Sequence, residues 1–197
     1  MIAFRTQVKF FAEDSQAIEL GRFVAVFQRL IQQQALEGML IDVADYQHVI
    51  DGPGVLLIAH DGDYAAQKID GRLGVAYIRK RRTDASLPAQ LRTSFRLALI
   101  ACALLEKEPS FRGKLKFRTD EAEIRLLDRL QFPNQPGTLE AVKEDLQAAI
   151  SDVYGATATT LAAVSQDVRQ VFTVSLHADS AATIPQLLDH LQPSLQE

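Results

Sequence analysis

The sequence predicts an α+β fold, a mostly antiparallel sheet with about four helices packed on it as a two-layer sandwich. Three observations carry this expectation. Short apolar or alternating stretches, the mark of strands, arrive in groups rather than singly. Longer stretches with apolar residues every three or four positions, the mark of amphipathic helices, separate those groups. Asp-Gly pairs at 51–52, 61–62 and 70–71 punctuate the middle of the chain. The last two pairs fit hairpin turns, because both residues tolerate positive φ.

The chain opens with a strand at 7–11, Gln-Val-Lys-Phe-Phe. Asp14 or Ser15 can cap the first helix, whose apolar stripe is Leu20, Phe23, Val24, Phe27, Leu30 and Ile31 and which stops near Gly38. Strands follow at 39–43, 55–59 and 72–78. Residues 63–69 read as a modest middle strand or a loop, because Ala-Ala-Gln-Lys is weak strand material. Ser86 is positioned to cap the second helix, with Pro88 in its first turn, where a missing N–H costs nothing. That helix carries Leu91, Phe95, Leu99, Cys102 and Leu105, ends before Pro109, and is apolar all round in its middle, so it is expected to be the most buried.

Beyond it, Lys-Leu-Lys-Phe at 114–117 alternates as a strand. Residues 123–127 form a further strand, although the periodicity of 121–130 also fits a short helix. A third helix runs from about Thr138 to Tyr154, with Leu139, Val142, Leu146, Ile150 and Val153 inward and Gly155 as terminator. Strands at 160–164 and 171–176 and a short helix containing Leu187, Leu188 and Leu191 complete the chain. The Phe-Pro-Asn-Gln-Pro-Gly segment at 132–137 is the best place for a subdomain boundary. A single domain over 1–197 is favoured, because the part after that segment would make a thin core.

Composition limits the function classes. Lys+Arg number 21 against 25 Asp+Glu, and a net charge of −4 weighs against a dedicated nucleic-acid binder. One cysteine, Cys102, offers no internal disulfide, and the first residues lack the apolar core and cleavage site of a signal peptide. The longest apolar run, Leu97 to Leu105, is far shorter than the roughly 20 residues of a membrane span. A soluble cytoplasmic protein without membrane contact is expected. The Val-Leu-Leu-Ile-Ala run at 55–59 suggests burial on both faces of the sheet, and hence a homodimer.

The polar residues offer two candidate sites. Asp42, Asp45, His48 and Asp51 recur at every third position, with His60, Asp61 and Asp63 one hairpin away. Carboxylates with an imidazole suit a hard divalent metal or acid–base chemistry, so Asp42, Asp45 and His48 are the metal and catalytic candidates. The bland alternative is turn chemistry, since Gly52-Pro53-Gly54 has Pro and Gly where a type II turn wants them. Asp42 stands apart, because a carboxylate inside an apolar strand should be paired, capped or protonated.

The second candidate is basic. Arg79, Lys80, Arg81 and Arg82 form one run; Arg112, Lys114, Lys116 and Arg118 form another, with the last three on one face of a strand. Joined, they would bind an anion or an acidic partner; apart, they are solvated surface and an edge protected by lysines.

Other patterns fail. Residues 61–72 have Ala65, Ala66 and Arg72 where a calcium loop needs a ligand, a glycine and a glutamate. The four histidines show no zinc spacing, and no phosphate-loop or nucleophile-elbow motif is present. Cys102 reads as a core residue, and no stretch calls for a cofactor. The expectation is a binding or interaction module holding an anionic ligand through Arg79–Arg82, Lys116 and Arg118. The alternative is a metal-assisted hydrolase or another enzyme acting on a small phosphorylated substrate.

Overall fold

A computed structural model describes residues 1–16, 18–50, 52–179 and 182–192. In it the chain runs β1 (Thr6–Ala12), α1 (Arg22–Gln32), β2 (Leu40–Asp45), β3 (Val55–Ala59), β4 (Gly62–Ile69), β5 (Arg72–Arg79) and α2 (Leu87–Glu106). It continues through a short 3-10 turn at Pro109–Phe111, β6 (Phe117–Leu126), α3 (Thr138–Tyr154), β7 (Thr159–Ala163), β8 (Phe172–Ala178) and α4 (Ile184–His190). The eight strands form one sheet in the order β2-β3-β4-β5-β1-β6-β8-β7, every neighbouring pair antiparallel. This is the α+β architecture that the residue pattern predicts. Strands from both sides of 132–137 share the sheet.

Period-2 alternation assigns the two faces. Val8 and Phe10 of β1 are fully buried, and Phe10 packs edge-on against Phe95 of α2 at 6.1 Å. The register carries the same face through Tyr77 and Val75 of β5 and Ile124 and Ala122 of β6. On that side α1 covers β2 and β3, α2 covers β1 and β5, and α3 and α4 pack on α2. Cys102 sits fully buried within α2, and burial pushes its thiol pKa well up, so it behaves as a small apolar filler. The opposite face carries Gln7, Lys9, Phe11, Arg72, Glu123 and Arg125, and no helix packs on it among the described residues. Among those residues no helix is long and apolar enough to cross a membrane.

Several local expectations change. Residues 62–69 are a full strand, because Tyr64 and Ala66 bury toward the helices and Ala65 and Gln67 are buried on the other side. Central placement there outweighs weak β-propensity. Residues 121–126 belong to a strand, not a helix, paired on both edges by β1 and β8.

Lys114 to Lys116 are not a strand. Arg112 and Gly113 take left-handed φ of 51° and 71°, and the Glu106 carboxylate accepts hydrogen bonds from the Lys116 Nζ and the Phe117 N–H. Only Leu115 keeps its inward place, fully buried in a loop. The first helix starts at Arg22, later than a cap at Asp14 or Ser15 implies. Asp14 instead accepts from the Gln16 N–H, and the Ser15 hydroxyl accepts from the Leu73 N–H.

The Asp70-Gly71 pair makes the expected tight turn, with φ of 50° and 76°. Asp61-Gly62 does not, since neither residue has positive φ. There the Asp63 carboxylate accepts the Ala59 N–H and fastens the hairpin.

Candidate anion-binding site

Asp42, Asp45 and His48 lie along the exposed edge strand β2 and the turn after it. Asp42 is exposed, and its Oδ1 accepts the neighbouring Val43 N–H at 2.7 Å, so the carboxylate is capped locally. The Asp45 carboxylate accepts from the Gln47 N–H and Nε2, and these bonds hold its pKa below the ordinary carboxylate value. His48 lies over the Tyr46 ring at 6.4 Å. Asp51 falls outside the described residues. Among the described residues, no group of three or more His, Cys, Asp or Glu side chains is placed to hold a metal ion.

The two basic runs sit at opposite ends of β1. Ile78, at the end of β5, pairs with Gln7, whereas Phe117 pairs with Ala12. At about 3.4 Å per residue this separates the runs by roughly 17 Å along the strand. Four of the eight members already have partners. Lys80 pairs with Asp63 at 2.7 Å, Lys116 with Glu106 at 3.1 Å, and Arg118 with Asp120 at 2.8 Å and Glu121 at 3.4 Å. The Arg81 Nε donates to the His60 carbonyl, and Arg82 is exposed.

Arg79 differs from its neighbours. Among the described residues it has no ion-pair or hydrogen-bond partner, and its Nε is buried unpaired. It lines a pocket of about 440 Å³ between the β3–β4 hairpin, β5 and α2. The alternation that points Tyr77 toward the helices points Arg79 there too, and the β4–β5 register sets Tyr64 opposite Tyr77. The two rings lie 5.1 Å apart and tilted by 58°.

Tyr64 is 1% exposed, and its hydroxyl has no partner among the described residues. Burial raises the pKa of both phenols, so each keeps its proton at neutral pH and can donate. Gly62 is needed beside them, since a Cβ there would stand 2.5 Å from the Tyr77 hydroxyl.

Arg96 and Glu37 close the far wall. The Arg96 guanidinium holds the Glu37 carboxylate with two hydrogen bonds, one of them at 2.7 Å. This pairing lowers the Glu37 pKa and raises that of Arg96. Arg96 is therefore committed to the protein, while Arg79 and Tyr64 are not. The Thr93 hydroxyl, also on the wall, donates to the Ala89 carbonyl. The resulting arrangement presents the Arg79 guanidinium and two protonated phenols to one small space, which the Asp61 carboxylate, paired with His60 at 2.9 Å, also lines. It suits an oxyanion, to which such donors make charge-assisted hydrogen bonds.

Arg79 is one of the residues that the sequence nominates. Tyr64 was reachable by the same reading: a two-residue turn at Asp70-Gly71 pairs Ile69 with Arg72 and, counting back, Tyr64 with Tyr77. Glu37 and Arg96 carry no such signal, because a loop and a helix far apart in sequence bring them together.

Comparison with family models, with curated proteins and with solved structures finds no significant match.

Proposed function

We propose that this chain is a binding module for a small oxyanionic ligand, a carboxylate or a phosphate. Arg79 supplies the charge, and the Tyr64 and Tyr77 hydroxyls supply directional hydrogen bonds. The observation that carries the reading is the pair of buried donors, Arg79 Nε and Tyr64 hydroxyl, without protein partners in one pocket. Buried polar groups are nearly always satisfied, and two convergent exceptions are what a ligand would explain.

Calorimetric titration with inorganic phosphate and with small mono- and dicarboxylates tests it. At least one should bind, and Arg79→Ala should weaken that ligand by about 10- to 100-fold, the worth of a hydrogen bond to a charged group. Tyr77→Phe should weaken it less. No binding by any of these anions, or an Arg79→Ala protein that binds as well as the parent, overturns the reading.

Cytoplasmic location and a homodimer belong to the same proposal. The single buried Cys102 supports the first. Half-buried Leu56, Ile58 and Ile78 on the helix-free face support the second. Sedimentation equilibrium should then give twice the 21.8 kDa chain mass, and a monomer at micromolar concentration refutes the dimer.

A further inference from the structure

The helix-free face of the sheet holds a second cavity, of about 810 Å³, walled by β1, β5 and β6 and by the β7–β8 connection. Lys9 lies in it. A lysine on a face without helices is normally free to reach water, yet Lys9 is 1% exposed.

Gly74 explains how it fits: a Cβ there would stand 2.6 Å from the Lys9 Cε, so the missing side chain is the bed on which the lysine stem lies. The Nζ ends 4.9 Å from the centre of the Phe11 ring, and Arg72 stacks on the same ring at 3.8 Å. Among the described residues, no hydrogen-bond acceptor and no carboxylate within ion-pair distance engages the Lys9 Nζ. Arg72, by contrast, is held by Glu121 in two hydrogen bonds of 2.9 and 2.8 Å, and Arg125 is held by Glu123 at 2.7 Å.

An unpaired amine enclosed in a cavity is a nucleophile whenever it is unprotonated. Here burial, with Arg125 and Arg72 nearby, lowers the lysine pKa from 10.5 to about 8, against the opposing pull of Glu123 and Asp70. The charged side chains that line the cavity are Lys9, Arg72, Arg125 and Arg169 against Asp70 and Glu123, and Arg169 too has a carboxylate partner, Asp167 at 2.8 Å.

We infer that Lys9 is the attachment site for a small carbonyl compound bearing an anionic group, such as an α-oxo acid, held as an imine. The amine lone pair forms a C–N bond to the carbonyl carbon while the carbonyl oxygen takes up a proton. The carbinolamine then loses water as the nitrogen gives up its proton, and no oxidant or reductant takes part. Glu123, at the register position opposite Lys9, is the carboxylate placed beside the amine to carry protons. Among the described residues Arg125 gives only its Nε to Glu123, which leaves its terminal nitrogens to hold the ligand's anionic end. This site lies on the opposite face of the sheet from the Arg79 pocket and stands or falls independently of it.

Glyoxylate with sodium cyanoborohydride, applied to the full chain, tests the inference, because reduction fixes any imine as a stable adduct that peptide mass spectrometry can place. Lys9 should be modified first among the seven lysines, with a rate half-maximal near pH 8. Acetaldehyde, which lacks the carboxylate, should label Lys9 several-fold more slowly. Lys9→Met keeps the stem on Gly74 and should leave only slow labelling elsewhere. If exposed Lys68 or Lys143 is modified as fast as Lys9, there is no special amine. If acetaldehyde labels Lys9 as readily as glyoxylate, recognition of the anion is refuted.

Discussion

Replacing Lys9 by Met should make the protein more stable at neutral pH, and the gain should disappear in alkali. The magnitude follows from the lysine pKa. The folded value of about 8 lies below the unfolded value of 10.5, so the folded state holds the charged amine at a disadvantage. Below pH 8 both states are protonated and the whole disadvantage is present. Between pH 8 and 10.5 the folded state sheds its proton first, the unfolded state binds more protons, and stability rises with pH. At about 1.4 kcal/mol per pH unit the disadvantage is about 3 kcal/mol at pH 7 and under about 0.5 kcal/mol at pH 10.5.

Methionine retains the stem against Gly74 and removes the charge, so it collects most of this difference. Urea unfolding of parent and Lys9→Met at pH 7 and pH 10.5 measures it as a shift in midpoint with unchanged slope. Tyr64 and Tyr77, whose pKa values burial raises in the folded state, add their own pH dependence there, but they do so in both proteins and cancel. A gap between the two proteins that is the same at both pH values refutes the assignment of a depressed lysine.

Tyr64→Phe should raise the melting temperature by about 2–4 °C, since it deletes a buried hydroxyl without a protein partner worth about 1 kcal/mol, and should weaken oxyanion binding. A fall in melting temperature on thermal unfolding would show that the hydroxyl is satisfied within the fold. Gly54→Ala should cost at least about 3 kcal/mol, combining a left-handed backbone with a Cβ 2.1 Å from the Ala66 carbonyl oxygen. Gly71→Ala, with similar φ but nothing within 4 Å, should cost about 1 kcal/mol in the same urea assay; equal costs would refute the clash. The two-pronged bond from Arg72 lowers the Glu121 pKa, so its contribution is present above about pH 4.3 and is lost as pH falls through the folded value. Glu121→Gln should therefore destabilise by about 2 kcal/mol at pH 7, with the deficit shrinking toward pH 3 in calorimetric melts, and a constant deficit counts against it.

Elements whose burial repeats with their own period were legible. The stripe of α3 and its Gly155 terminator, the β3 run and the β4–β5 turn were all readable from nearest neighbours. Lys114–Lys116 were not, because alternation there reflects one buried leucine in a loop that Glu106, ten residues upstream of Lys116, ties down. The weak strand 62–69 became strand through its two neighbours, information that lies outside its own residues.

The same division holds for the sites. Arg79 stands out as part of a charge run, but its distinction from Lys80, which pairs with Asp63, lies in having no ion-pair partner among the described residues, which only the fold decides. Nothing in Gln-Val-Lys-Phe-Phe sets Lys9 apart from an ordinary polar position in a strand. Its unusual surroundings come from Gly74 on a strand more than sixty residues away.

β1 is the first strand in the chain, yet it occupies an inner position of the sheet, with β2 to β5 as a consecutive meander on one side and β6, β8 and β7 on the other. Its partners arrive in two instalments, β5 and then β6, so the earliest-made strand must wait for more than half the chain before both its edges are paired. Pairing at that sequence distance is slow to find and leaves a strand edge open in the meantime. Lys9 sits on this seam, and its cavity exists only after both halves have closed on β1. Modification of that one amine would therefore report the joining of the two halves on β1.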